Sequence, residues 1–267
     1  MPFRLISLAG TMLLGLLTAQ TAAPPAVADL VREAFGDQVG SLVILDPSMD
    51  EPIDPFPSES SKQLPPCSTF KIWNSLIGLE LGLISAAGEP FHEWDGTVRS
   101  IPEWNQDLTL RESFQASCVP AFQVLARRIG QREMDIWLKR LDYGNADTSS
   151  GLDVFWLPEE GRSPLLISPR EQAERIRRLV TGELGITPKT ERVLRELLLA
   201  RQTARGTLFG KTGTGRIAPH TNVGWYVGWI ESGSTLRPFA CTLFGKGVMG
   251  KDARALVERV FGQAGWL

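Results

Sequence analysis

Hydrophobic positions along the chain fall into helical, then alternating, then again helical spacing. Phe70, Trp73, Ile77 and Leu81 recur close to every 3.6 residues, with Pro65 and Pro66 before them and Gly82 after, which predicts a helix over 66–82. Residues 30–35 predict a short helix and 40–45 a strand closed by Asp46-Pro47. The run 50–61, rich in Pro, Ser and acid, reads as a loop, and 88–105 as irregular. Helical spacing returns over 109–129, broken at Pro120, and over 131–141, followed by turn chemistry at 140–145. Helices are predicted over 169–181 and 188–202; in the first, Glu171 with Arg175 and Glu174 with Arg178 stand at i,i+4 on a solvated face.

From Gly206 the period changes to alternation. Residues 208–212, 223–231 and 238–245 read as three strands with short polar connections, hence an antiparallel sheet. Ala253, Leu256, Val257, Val260 and Phe261 form the stripe of a closing helix. The order strand, helical middle, strands, helix predicts an α/β fold of the α+β type: an antiparallel sheet flanked by helices, with a mostly helical insert. The expected division is a discontinuous α/β domain at 29–62 and 190–267 and a helical domain at 63–189.

Residues 1–28 resemble an export signal. Arg4 gives a charged start, 5–17 an apolar core too short for a membrane span, and Ala26-Val27-Ala28 a small-residue cleavage site, with Thr21-Ala22-Ala23 as a second candidate. A periplasmic or secreted location is therefore expected, with no membrane span. The 267 residues suffice for a sizeable core, and a net charge of −2 without a basic block argues against a nucleic-acid partner. Two histidines, His92 and His220, and no Cys-x-x-Cys leave a zinc site or a Ser-His-Asp triad poorly supplied; both histidines read as surface or loop residues.

The chemistry concentrates at Ser68 and Lys71. Residues three apart share a helix face, so the Lys71 amine comes within reach of the Ser68 hydroxyl, at the helix end where the macrodipole favours developing negative charge. A serine at a helix start is commonly an N-cap. Lys71, however, is flanked by Phe70, Ile72 and Trp73, and a desolvated amine has a lowered pKa and serves as a base. Ser117-Cys118-Val119-Pro120 sets a hydroxyl just before a helix, as an N-cap or a functional group. Lys211-Thr212-Gly213-Thr214-Gly215 is either a strand end leading into a turn or a binder of a carboxylate or oxyanion. Phe155 and Trp156 form a loop aromatic pair expected to fold back on the core.

Ser68-Thr-Phe-Lys71, Ser117-Cys-Val119, Tyr143-Gly-Asn145, Asp153-Val-Phe-Trp-Leu157, Lys211-Thr-Gly213 and Gly224-Trp-Tyr-Val-Gly-Trp-Ile-Glu231 together resemble the penicillin-recognising serine enzymes, closest to class D (oxacillinase-type) β-lactamases. The resemblance implies a serine β-lactamase/transpeptidase-like fold with its site at the domain junction. It implies hydrolysis of β-lactams through an ester on Ser68, with Lys71, carboxylated by carbon dioxide to N6-carboxylysine, as base for acylation and deacylation. Ser117 would relay a proton to the lactam nitrogen and Lys211 would support it. Backbone N–H groups of Ser68 and Thr214 would form the oxyanion hole, and Thr212, Gly213 and Arg254 would hold the substrate carboxylate.

Phe70, Val119, Trp156 and Leu157 would line the carbamate pocket. No metal or other cofactor is implied beyond carbon dioxide or bicarbonate, and the partners are small-molecule β-lactams for a monomer or homodimer. The same resemblance puts Ser68 and Ser117 on facing walls, so Cys67 and Cys118 are either joined in a disulfide, with Cys241 left as a buried strand thiol, or remain small buried thiols. Two related functions share most of these motifs: a β-lactam-sensing domain, whose pattern is Ser-x-Asn where this chain has Val119, and a D-Ala-D-Ala peptidase.

Overall fold

The computed structural model describes residues 26–158 and 165–267. Helix α1 (Val27–Phe35) leads into strand β1 (Val39–Ile44), and a short α2 (Pro57–Ser60) lies in what reads from sequence as loop. A 3-10 turn over Cys67–Phe70 opens α3 (Lys71–Glu80). Then come β2 (Pro90–His92), β3 (Leu108–Thr109), α4 (Leu110–Gln115), α5 (Val119–Ile129), α6 (Gln131–Leu141), α7 (Pro169–Val180) and α8 (Pro188–Leu198). The chain closes through β4 (Leu199–Gln202), β5 (Gly206–Ala218), β6 (Thr221–Ser232), β7 (Thr235–Gly245) and α9 (Gly250–Gln263).

Five strands form one antiparallel sheet in the order β1-β7-β6-β5-β4. The sequence anticipates its three longest strands and β1; β4 is the exception, because the predicted helix 188–202 ends at Leu198 and its tail pairs with β5. Alternation sorts the sheet into two faces. Leu208, Tyr226, Ile230, Phe239 and Cys241 pack with α1 and α9, while Phe209, Trp225, Val227, Trp229 and Ala240 pack with the helical layer. Burying both faces of an antiparallel sheet makes its strands read as long apolar runs, as β6 does.

The helical layer does not form a body apart from the sheet. α7 lies against β7 and β1, and α8 packs on α3 and α4, so the helical side extends past residue 189 to Leu198. α7 starts at a capping box, Ser168 with Glu171, and Pro169 sits at its first position. Its expected surface pairs are not made: Glu171 accepts from Gln63 and Arg175 turns inward to Asp142 at 2.6 Å. Glu174 pairs with Arg177, and Arg178 donates to the Leu141 carbonyl. Tertiary partners outcompete i,i+4 pairs worth only a few tenths of a kcal/mol.

Ala26 to Ala28, expected as the cleavage site, are the cap and first turn of α1, and Val27 and Ala28 pack against the outer core. The remainder of the expected signal and the site Thr21-Ala22-Ala23 lie outside the described residues. His92 is buried on β2 rather than exposed; His220 is at the surface in the β5–β6 hairpin. Among the described residues, no helix is long and apolar enough to cross a membrane.

Candidate active site

The turn that carries Ser68, the candidate nucleophile, is built before the helix proper. Cys67 takes a left-handed conformation (φ 52°), which costs a non-glycine residue strain and is held here by hydrogen bonds on both sides. Its N–H donates to the Trp156 carbonyl at 3.1 Å, and Thr69 N–H returns to Pro66 O at 3.2 Å. The predicted helix thus begins as a 3-10 turn, with Ser68 in it and Lys71 as the first α-helical residue. Ser68 is partly exposed, whereas Lys71 is fully buried.

Lys71 Nζ donates to Ser68 Oγ at 3.0 Å. Burial brings the Lys71 pKa down to about 7, against a smaller opposing effect of the Cys118 and Cys67 sulfurs. Part of the amine is therefore neutral near pH 7, the form that can act as a base. It lies 5.3 Å from the ring centre of Phe122, on α5. Sequence reading missed Phe122; the signal was its i+3 spacing from Val119, which puts both on one face of α5. Val119 itself is the first residue of α5 and partly buried.

Ser117 precedes α5 in a left-handed conformation (φ 53°), so the helical run breaks at residues 116–118 and Pro120 falls inside the first turn of α5 rather than at the break. Trp104 Nε1 donates to Ala116 O at 2.9 Å and holds this corner. Lys211 Nζ donates to Ser117 Oγ and to Thr212 O. Burial, followed by the Lys71 charge, pushes the Lys211 pKa well below its usual value. The two serines and two lysines predicted from separate motifs thus form two bonded pairs in one site.

β5 forms the third wall. A methyl group at Gly213 would stand 3.1 Å from Thr69 Cγ2 and 3.2 Å from Pro66 O, so the strand and the nucleophile turn approach as closely as a glycine permits. Lys211 and Gly213 face the turn, while Thr212 and Thr214 face α9, where Thr214 Oγ1 accepts from Gly250 N–H at 2.8 Å. Arg254, one turn further along α9, lies over the ring of Tyr226, the residue opposite Thr212 in β6. Its guanidinium is held by Glu258 at 2.7 Å and Ala200 O at 3.2 Å.

Behind the nucleophile the aromatic residues converge as expected. Phe70 stacks on Trp156 at 5.7 Å and meets Phe155 and Tyr143 edge-on. Trp156 is fully buried, yet its Nε1–H has no partner among the described residues. Leu157 is partly buried against the same core. Gly144 (φ 53°) fits under Leu166 only because it lacks a Cβ, which explains the Tyr-Gly-Asn sequence physically.

The Cys67–Cys118 disulfide is not formed: all three cysteines are free and buried. The Cys67 thiol turns back to Pro65 O at 3.4 Å and packs where β5 passes at Gly215. Burial pushes its pKa up to about 12, so it stays an uncharged thiol.

Two hydroxyls, each bonded to a buried lysine amine of lowered pKa, and a strand edge beside them define a serine acyl-transfer site on a penicillin-recognising fold. Residues 46–261 match the family model for the penicillin-binding protein transpeptidase domain. The chain is 38% identical to the β-lactamase OXA-10 of Pseudomonas aeruginosa over 68% of both sequences. It is 32% identical to the probable β-lactamase YbxI of Bacillus subtilis over 87% of this chain and 84% of that one. The solved class D β-lactamase BAT-2 superposes with a TM-score of 0.82 at 30% identity, covering 91% of this chain and 99% of that one. The chain belongs to the penicillin-binding protein transpeptidase family and, within it, to the class D serine β-lactamases. The C-terminal domain of the Bacillus licheniformis BlaR penicillin receptor has the same fold, with a TM-score of 0.82 at 27% identity over 90% of this chain and 95% of that one.

Proposed function

We propose that this protein hydrolyses β-lactam antibiotics through an ester on Ser68 Oγ, with Lys71 carboxylated in the working enzyme. The observation that carries this reading is the Lys71 amine, buried, with its pKa lowered to about 7, and 3.0 Å from Ser68 Oγ. Ser68 attacks the lactam carbonyl, and the backbone N–H groups of Ser68 and Thr214 receive the developing oxyanion. Ser117, held by Lys211 Nζ, delivers a proton to the departing lactam nitrogen. Thr212, Gly213 and Arg254 bind the substrate carboxylate from the β5 side.

Carbon dioxide condenses only with a neutral amine, and burial leaves a sizeable share of Lys71 in that form near pH 7. Trp156 Nε1–H, buried and unpartnered, would donate to the resulting anion, with Phe70, Val119 and Leu157 as its apolar surroundings. So carboxylated, Lys71 supplies a general base for both the Ser68 proton and the water that clears the ester. Apart from carbon dioxide the chemistry calls on no cofactor. Residues 1–25 direct export to the periplasm or the outside, and cleavage falls at Thr21-Ala22-Ala23, because a cut after Ala28 would remove the first turn of α1.

The test is a penicillin progress curve in carbon-dioxide-depleted buffer, with and without bicarbonate. Turnover that decays and is restored by bicarbonate, with a carbon-13 carbamate signal from labelled bicarbonate, is expected. A linear curve with no such signal removes the carbamate and leaves the bare amine as base. Stoichiometric acylation without turnover would instead assign the protein a sensing role like that of BlaR.

A further inference from the structure

Thr69, the residue after the nucleophile, ends a line of buried polar groups that the mechanism above leaves unused. Tyr143 Oη donates to Gln172 Oε1 at 3.2 Å, Gln172 Nε2 donates to Thr69 Oγ1 at 2.9 Å, and Thr69 Oγ1 donates to Pro66 O at 2.6 Å. Tyr143, Thr69 and Gln172 are all fully buried. The direction of each bond is determined chemically. Pro66 O only accepts, so Thr69 spends its one proton there and must accept from the amide nitrogen of Gln172. That leaves Oε1 to accept from Tyr143, whose hydroxyl burial keeps protonated.

The line ends on the peptide that matters most. Pro66 O receives both Thr69 Oγ1 and Thr69 N–H, while the N–H of the same peptide plane, on Cys67, donates to Trp156 O. With that plane held at both ends, the left-handed Cys67 sets the direction of the next N–H, that of Ser68. α7 and the residue before its cap hold the approach to this turn at two further points. Gln63 donates to Glu171 at 2.8 Å, and Leu64 and Ile167 exchange backbone bonds at 3.1 and 3.0 Å. A buried amide is costly unless fully paired, and a paired network specifies geometry in a way apolar packing does not.

We infer that Gln172 is a positioning residue for acylation: through Thr69 and Pro66 it aims the Ser68 N–H at the oxyanion. The inference rests on Ser68 being the nucleophile. It requires that losing the amide slow the step in which the oxyanion forms, without weakening ground-state binding.

Four variants test it: Gln172→Leu, Gln172→Glu, Thr69→Val and Thr69→Ser. Three quantities are measured: the acylation rate constant with a penicillin, affinity for a boronic acid whose tetrahedral adduct directs an oxygen at the hole, and the thermal midpoint. Gln172→Leu and Thr69→Val should lower acylation and boronate affinity together by roughly 10- to 100-fold, with the dissociation constant of the initial penicillin complex within about twofold. Thr69→Ser, which keeps the hydroxyl, should match the parent. Gln172→Glu should recover relative to the parent as the pH falls, because a protonated carboxyl again donates to Thr69 and accepts from Tyr143. Parental acylation and boronate affinity in Gln172→Leu and Thr69→Val would overturn the inference, as would losses that follow the thermal midpoint in all four variants alike. If Gln172→Leu does not fold, the Thr69→Val and Thr69→Ser pair decides. A parent protein that forms no adduct with penicillin would overturn the Ser68 reading instead.

Discussion

Lys71 and Lys211 each hold a serine hydroxyl, and burial, followed by the nearness of the Lys71 amine, lowers the pKa of Lys211. Both amines are more easily deprotonated in the folded protein than in the unfolded chain, where a lysine stays protonated to about 10.5. Between about pH 7 and 10.5 the unfolded chain therefore binds more protons, and stability rises with pH. Below about 7 the contribution of Lys71 is flat, and its burial cost is fully felt. Denaturant unfolding in carbon-dioxide-free buffer from pH 7 to 9.5 should show a slope of up to about 1.4 kcal/mol per pH unit from Lys71. Lys71→Met should lose it; a variant slope equal to the parental one would refute a depressed Lys71.

Trp156→Phe should separate the two half-reactions. The ring still stacks on Phe70, so little packing is lost, but the orphan Nε1–H is removed. A hydrogen bond to a charged group contributes about 1.5–3 kcal/mol, so retention of carbon dioxide should weaken by roughly 10- to 100-fold. Deacylation should slow more than acylation, and excess bicarbonate should partly restore it. Unchanged bicarbonate dependence would show that Trp156 does not hold the carbamate.

Gly213→Ala probes the contact between β5 and the nucleophile turn. The added methyl meets the Thr69 backbone and side chain and Pro66 O at 3.1–3.2 Å, and backbone atoms yield little. Shifting the strand by a few tenths of an ångström moves Thr214 N–H relative to Ser68, so kcat/KM should fall about tenfold or more. Folding should be mildly affected. A variant with parental kcat/KM would mean that the strand and turn can separate without cost.

Arg254→Ala addresses substrate binding. If Arg254 helps hold the substrate carboxylate in both ground and transition states, KM should rise by about tenfold while kcat changes little. The same change breaks a half-exposed pair with Glu258, worth at most about 1 kcal/mol of stability. A KM within twofold of the parental value would assign Arg254 to that pair alone.

Ser68, Lys71, Ser117 and Lys211 were legible because each sits in a short pattern whose chemistry is odd for its place: a lysine among aromatic residues, a serine before a helix, and a lysine beside threonines and glycines, which lies within β5 rather than at the strand end the sequence suggested. Local spacing also determined the helix faces and the three long strands, since apolar periodicity follows directly from backbone geometry. It could not reveal β4, because a strand that follows a helix without a break keeps the helical residue preferences of its neighbours. Nor could it place Glu171, Arg175 and Arg178, whose partners come from residues distant in sequence.

Sequence alone thus determined the long helices and strands, the serine–lysine motifs and the aromatic cluster, all of which are local properties of side chains and spacing. The tertiary structure alone decided that the two serine–lysine pairs share one site, that Cys67 and Cys118 remain thiols, that Phe122 faces Lys71 and that Gln172 reaches Thr69. The physical reason is burial. Which polar groups lose water, and which partner each then finds, depends on elements brought together across the whole chain, and a buried amide or amine is defined by that company rather than by its neighbours in sequence.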